Sequence, residues 1–269
     1  ESEAQLKELT VSIQKLDPEY PVLISVDQEG GLVKRIWWDS ALGQKEMANL
    51  STDQRCAQWN QRSELLSELG INWNLGIVAD VSPNMYSFIY PRTFSTDYNI
   101  AANLTAEAVK CSPLTLTTLK HYPGHGSTFV DTHTQLGIMA VQEEAEWLEK
   151  DAKPFLSAKD SDTIMIGHLI MEWLDSDNPA SLSKSQIDYL RNNIGYEGLI
   201  VTDDIRMLEA GGFDLIDAFG RALVAGNDIV LSSIIDARRN LFVSKVRELL
   251  DSGVLSEEML NLKVERILK

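Results

Sequence analysis

"LTLTTLKH", residues 114–121, runs through six leucines and threonines and then stops on a lysine and a histidine. A short aliphatic and β-branched run with no polar alternation reads as a strand buried on both faces, the kind found in parallel sheets covered by helices. Five other runs share the pattern: "PVLISVD" (21–27), "INWNLGIVAD" (71–80), "DTIMIGH" (162–168), "GLIVTDD" (198–204) and "NDIVLSS" (227–233). Longer helix-like segments separate them, such as "STDQRCAQWNQRSELLSELG" (51–70), where Ser51 or Thr52 is a natural cap. Most runs finish on a chemically capable residue: Asp27, Asp80, Lys120 with His121, His168 and Asp203. In a (β/α)₈ barrel the site is assembled from such strand ends and the loops after them. A doubly wound sheet would concentrate its site at one crevice, usually beside a glycine-rich phosphate turn. The chain has no G-x-G-x-x-G and no P-loop. The expectation is therefore an α/β (β/α)₈ barrel, one domain over residues 1–269. Only six strands are evident where eight are wanted, and the chain opens on a helix, "EAQLKELTVSIQKL" (3–16), so the N-terminal strands are expected to be missing.

Bulk properties exclude some functions. With 24 Lys and Arg against 40 Asp and Glu, the net charge of −16 repels phosphate backbones, and no basic stripe offsets it. No apolar run reaches membrane-spanning length, so neither nucleic acid nor membrane is an expected partner. Two cysteines, Cys56 and Cys111, are too few for a disulfide framework. Cytoplasmic and exported positions are equally compatible with this sequence.

Three of the four histidines, His121, His125 and His133, fall in "KHYPGHGSTFVDTH" (120–133). A zinc helix of the H-E-x-x-H type would place two of them one turn apart, but Pro123, Gly124 and Gly126 rule that helix out, and no C-x-x-C exists. A metal site could still form by convergence in space. The alternative is proton transfer. Asp131 lies two residues before His133, and a carboxylate partner orients an imidazole and suits it to act as acid and then base. "VTDD" (201–204) places carboxylates at another strand end, where one could serve as nucleophile and the pair could equally cap a helix.

Four stretches taken together, "VDQEGGLVKRI" (26–36), "INWNLGIVADV" (71–81), "KHYPGHGSTFVDTH" (120–133) and "GLIVTDDIRMLEA" (198–210), resemble glycoside hydrolase family 3, and within it the single-domain β-N-acetylglucosaminidases. The resemblance implies that Asp203 is the nucleophile of a retaining mechanism, with Thr202 where the family usually has serine. It implies His133 as acid/base with Asp131 as its partner, and Asp27, Arg35, Arg92, Lys120 and His121 as substrate-binding residues. It implies a barrel, no metal or organic cofactor, a monomer, and a substrate carrying terminal N-acetylglucosamine, such as a peptidoglycan fragment or a chitooligosaccharide. A broader β-glycosidase, a metal-dependent barrel hydrolase and a non-catalytic sugar-binding barrel are the competing readings. His168 reads as a hydrogen-bonded histidine at the barrel rim, and Trp37-Trp38 as packing over the barrel edge.

Overall fold

The computed structural model describes residues 2–17, 19–128, 136–141, 143–234 and 238–269. Its helices and strands alternate, and the chain divides into two compact units. One comprises Glu1–Lys120 with Lys153–Asp162, the other His121–Ala152 with Thr163–Lys269.

In the first unit the helix Glu3–Gln14 precedes strand β1 (Ser25–Val26). A hairpin follows, built from β2 (Gln28–Gly30) and β3 (Val33–Lys34), which pair antiparallel. Strand β4 (Trp73–Val78) is buried along its whole length and lies parallel to both β1 and β5 (Leu116–Tyr122). The helices Thr52–Glu68 and Tyr98–Lys110 precede β4 and β5. Ser51 caps the first through a capping box, its side chain accepting from the Gln54 N–H. An apolar cluster of Ile36, Leu66, Leu69 and Ile71, with Leu6, Ile24 and Val26 packed against it, forms part of the core of this unit.

The hairpin carries the "QEGG" turn, and its shape follows from buried polar bonds. The Gln28 amide accepts from the Arg35 and Ile36 N–H groups (2.9 Å each) and donates to Asp39 (2.8 Å). Asp39 in turn pairs with the buried Arg62 at 3.0 Å. Arg62 also donates to the Glu29 and Leu42 carbonyls, so its guanidinium fills the space beneath the turn. Gly30 has φ +81°, and a Cβ there would lie 2.4 Å from that guanidinium, so glycine is required on both counts.

In the second unit β7 (Thr163–Ile166) and β9 (Leu199–Thr202) run parallel in register. Two short strands, β6 (Gly137–Ile138) and β8 (Leu169–Ile170), form a separate parallel pair. The sixth expected strand is reduced to one bridge, Ile229 with Val201. Main-chain bonds extend the pairing, from the Ile229 N–H to the Ile200 carbonyl, the Thr202 N–H to the Ile229 carbonyl and the Ile205 N–H to the Leu231 carbonyl, and side chains add to them. Thr202 Oγ1 accepts from the Leu231 N–H, Asp204 accepts from the Ser233 N–H, and Asp228 is held by Arg191 and Arg266. A core of Leu182, Ile205, Leu208, Leu215, Ala218 and Ala222 packs beside β9.

The two cysteines, too few for a framework, are joined to each other. Cys56 and Cys111 form a disulfide across a sequence separation of 55, with Cα atoms 5.1 Å apart. It ties the helix Thr52–Glu68 to the residue ending Tyr98–Lys110, beside an ion pair between Arg55 and Glu107. In the chain-entropy account, closing a loop of that length removes unfolded-state freedom equivalent to about 4 kcal/mol. The double substitution Cys56→Ser with Cys111→Ser, or reduction of the wild type, is expected to lower stability by about that amount in a denaturant melt. An unchanged midpoint would show that the bridge does not constrain the unfolded chain.

Candidate active site

Strand ends carry the chemistry, and each unit contributes its own cluster. In the first, Asp27 directly follows β1, Glu29 lies in β2, Arg92 ends a single 3₁₀ turn (Tyr90–Arg92), and Lys120 lies near the end of β5. The Lys120 Nζ stands 2.8 Å from Asp27 Oδ1 and 2.7 Å from Glu29 Oε1. Arg92 grips Glu29 with both arms of its fork, Nε to Oε2 at 2.9 Å and NH2 to Oε1 at 2.7 Å. Burial alone would raise the Glu29 pKa, but the Lys120 and Arg92 charges overcome it and hold the carboxylate at about 2. Burial likewise works against the Lys120 ammonium, and Glu29 and Asp27 outweigh it, raising its pKa above the usual lysine value.

Three residues implied by the resemblance, Asp27, Arg92 and Lys120, are thus in one network. Arg35 stands apart from it. Its guanidinium is exposed and pairs with no carboxylate among the described residues. With Trp37 and Trp38 it lines a cavity of about 370 Å³ walled by Leu6, Leu9 and Thr10. The two tryptophans meet edge to face at 5.4 Å on this wall; Trp38 packs against the apolar cluster, whereas Trp37 is 70% exposed. Glu29 was not among the expected site residues. The one available signal was its place two residues beyond Asp27, since extended backbone returns to the same side every second residue.

In the second unit His121 and His125 are buried, their rings edge to face at 6.0 Å. The loop between them is set by Gly124 at φ +124°, where a Cβ would come within 2.7 Å of the buried Asp151. Trp147 supports the same loop, its indole N–H donating to the Pro123 carbonyl at 2.8 Å. Asp131 and His133 lie outside the described residues.

Asp203 and Asp204 follow β9 directly and divide their duties. Asp204 is the cap of the 3₁₀ helix Ile205–Gly211, accepting from the Arg206 N–H at 3.0 Å and from the Ser233 N–H at 3.2 Å. Asp203 is half-buried, its main chain tied to β7 by a bond to the Ile166 carbonyl, and its Oδ1 accepts the Asp204 N–H at 2.8 Å. The helix-cap reading of "DD" therefore belongs to Asp204.

His168, two residues past β7, is fully buried. Its Nε2 lies 3.0 Å from the Asp204 carbonyl and its Nδ1 2.7 Å from Ser181 Oγ. A carbonyl only accepts, so Nε2 carries a hydrogen, while Nδ1 shares its bond with a Ser181 hydroxyl that can donate or accept. Burial pushes its pKa below the usual 6.5; the Asp203 and Asp204 charges oppose that and His121 adds to it. His121, Asp203 and His168 are therefore electrostatic neighbours. Among the described residues no three of His, Cys, Asp and Glu converge as a metal-ligand set.

The sign of the His168 effect is fixed by its direction. A depressed folded-state pKa means stability that is fully present above the unfolded value of 6.5 and is lost as pH falls through the folded value. The slope from one such group approaches about 1.4 kcal/mol per pH unit. His168→Gln should remove that component, so chemical denaturation between pH 6.5 and the onset of carboxylate protonation should become flatter than in the wild type. A parallel pH profile for the variant would assign the acid sensitivity elsewhere.

The whole chain, residues 1–269, matches the glycosyl hydrolase family 3 N-terminal domain. It is 29% identical over 308 residues to β-hexosaminidase A of Pseudoalteromonas piscicida, covering 99% of this chain and 50% of that protein. To β-hexosaminidase of Haemophilus influenzae it is 30% identical over 249 residues, covering 86% of this chain and 69% of the relative. The structure of a family 3 β-N-acetylglucosaminidase from a Paenibacillus species superposes with a TM-score of 0.92 at 28% identity, covering 99% of this chain and 53% of that one. The chain thus spans about half the length of the first of these relatives and of that solved structure. With the match running from its first residue to its last, and parallel strands ending on Asp27, Lys120, His121 and Asp203, this chain belongs to glycoside hydrolase family 3.

Proposed function

We propose that this chain is the catalytic barrel of a retaining exo-β-N-acetylglucosaminidase acting on terminal N-acetylglucosamine of peptidoglycan fragments or chitooligosaccharides. The observation that carries the reading is Asp203: a half-buried carboxylate directly after β9, its Oδ1 held by the Asp204 N–H, in a chain similar to β-hexosaminidases over most of its length. Its carboxylate would attack the anomeric carbon while His133 protonates the departing glycosidic oxygen, giving a glycosyl-aspartate. Water, deprotonated by the same imidazole, would then attack that carbon and release the sugar with the β configuration retained. Asp131 would hold the His133 ring. Asp27, Arg92, Lys120 and His121 would bind sugar hydroxyls, since ionised donors and acceptors make the stronger hydrogen bonds. Arg35, exposed on its cavity wall, would add a further cation for the sugar.

The test is release of p-nitrophenol from the β-N-acetylglucosaminide, with the β-glucoside alongside. Asp203→Ala is expected to lower kcat by roughly 10³-fold or more, as loss of a nucleophile does in other hydrolases. His133→Ala should lower it by about 10²-fold or more. Activity should favour the acetamido sugar and survive EDTA. Sugar binding without turnover would leave a non-catalytic barrel, EDTA-sensitive turnover a metal hydrolase, and preference for the glucoside a broader glycosidase.

A further inference from the structure

Four charged groups share the network of the first unit, and they are not equivalent. The Glu29 side chain is 3% exposed and receives three short contacts, from Lys120 Nζ at 2.7 Å and from Arg92 NH2 and Nε at 2.7 and 2.9 Å. Its own main-chain carbonyl is fixed by Arg62 at 3.1 Å, a residue itself anchored on Asp39. A carboxylate offers about four acceptor positions, so Glu29 is nearly saturated and closed to solvent. Asp27 differs in each respect. Its side chain is 38% exposed, and among the described residues its one ionic partner is Lys120, on Oδ1 at 2.8 Å. The second Asp27 oxygen is therefore open to an incoming hydroxyl.

We propose that Glu29 is the positioning residue of the sugar-binding cluster, the fixed counter-ion that keeps Lys120 and Arg92 charged and aimed and so leaves Asp27 to accept sugar hydroxyls. The assignment of Asp27, Lys120 and Arg92 to a sugar rests on the reading above; the claim about Glu29 concerns how those groups are held. A lysine only 2% exposed needs a permanent partner, because a buried ammonium with a single half-exposed carboxylate loses much of its compensation. Glutamine in place of Glu29 would present one acceptor oxygen to two cations, and its amide hydrogens would face one of them.

The experiment compares wild type, Glu29→Gln and the double variant Glu29→Gln with Lys120→Met. The readouts are N-acetylglucosamine binding by calorimetry, KM and kcat, melting temperature, and NMR titration of the Lys120 side chain. Glu29→Gln should weaken sugar binding and raise KM by about tenfold or more, with kcat changed less, since the groups it holds bind the sugar before and during reaction. Lys120 should lose its proton at lower pH than in the wild type. The double variant should regain melting temperature, because the uncompensated cation is gone, without regaining sugar affinity. If Glu29→Gln lowers only the melting temperature, while folded protein binds sugar and titrates Lys120 like the wild type, the residue is structural and the proposal is overturned. If the wild type binds no sugar, the functional reading fails by itself, and the Lys120 titration still decides whether Glu29 holds the cation.

Discussion

A lysine ammonium can stay ionised inside a protein only when carboxylates replace the water it has lost. Much of the first unit serves that constraint. Lys120 is carried inward by β5, and the hairpin β2–β3 brings Glu29 to meet it. The hairpin holds its shape because Gln28 satisfies two backbone donors within it and because Arg62 fills the space under Gly30. Arg62 is itself tolerable in the interior through Asp39 and the two carbonyls it donates to. The result is a chain of buried polar groups in which each member is paid for by the next, from Asp39 outward to the half-exposed Asp27. Deleting one partner would leave a buried charge behind, which is why such networks are sensitive to single changes.

The second unit solves a related problem with neutral groups. His168 lies between a hydroxyl and a carbonyl, and burial lowers its pKa against the opposing charges of Asp203 and Asp204. Tying Asp204 to a helix cap and to the Ser233 N–H leaves its neighbour with a different set of partners. Two adjacent residues of the same type thus acquire different hydrogen-bond partners. Around the "KHYPGHG" turn, Trp147 holds the main chain through the Pro123 carbonyl, and Asp151 packs close against Gly124.

The outer helices are tied by different means. The Cys56–Cys111 disulfide and the Arg55–Glu107 ion pair join the two helices that precede β4 and β5. At the other end of the chain, the helix Glu257–Leu268 is pinned by Arg266 to Asp228 and by Lys263 to the Asn227 carbonyl. Burial draws the Lys263 pKa down to about 8, with Asp228 opposing and Arg266 and Arg191 adding to the shift. These ties act on helices, whereas strand placement follows from apolar burial.

Composition and periodicity by themselves determined the α/β class, five of the strands, a helix cap at Ser51 or Thr52 and the strand ends that carry Asp27, Lys120, His121 and Asp203. Those features are local: an unbroken apolar run can be satisfied only between helical layers, and a serine before a helix has a donor to accept from wherever the helix lies. The sixth run, 227–233, does lie parallel to β9 through one bridge and main-chain bonds to Ile200 and Thr202, but the added bonds from the side chains of Thr202 and Asp204 were not legible, because these partners are distant in sequence. The disulfide was out of reach for the same reason, since two cysteines 55 residues apart acquire a pairing only when two helices pack. Glu29 shows the limit most plainly. In the sequence it is one acid in a turn motif; as the buried partner of Lys120 and Arg92 it exists only once residues 29, 92 and 120 are brought within hydrogen-bonding distance, and tertiary structure alone decides that.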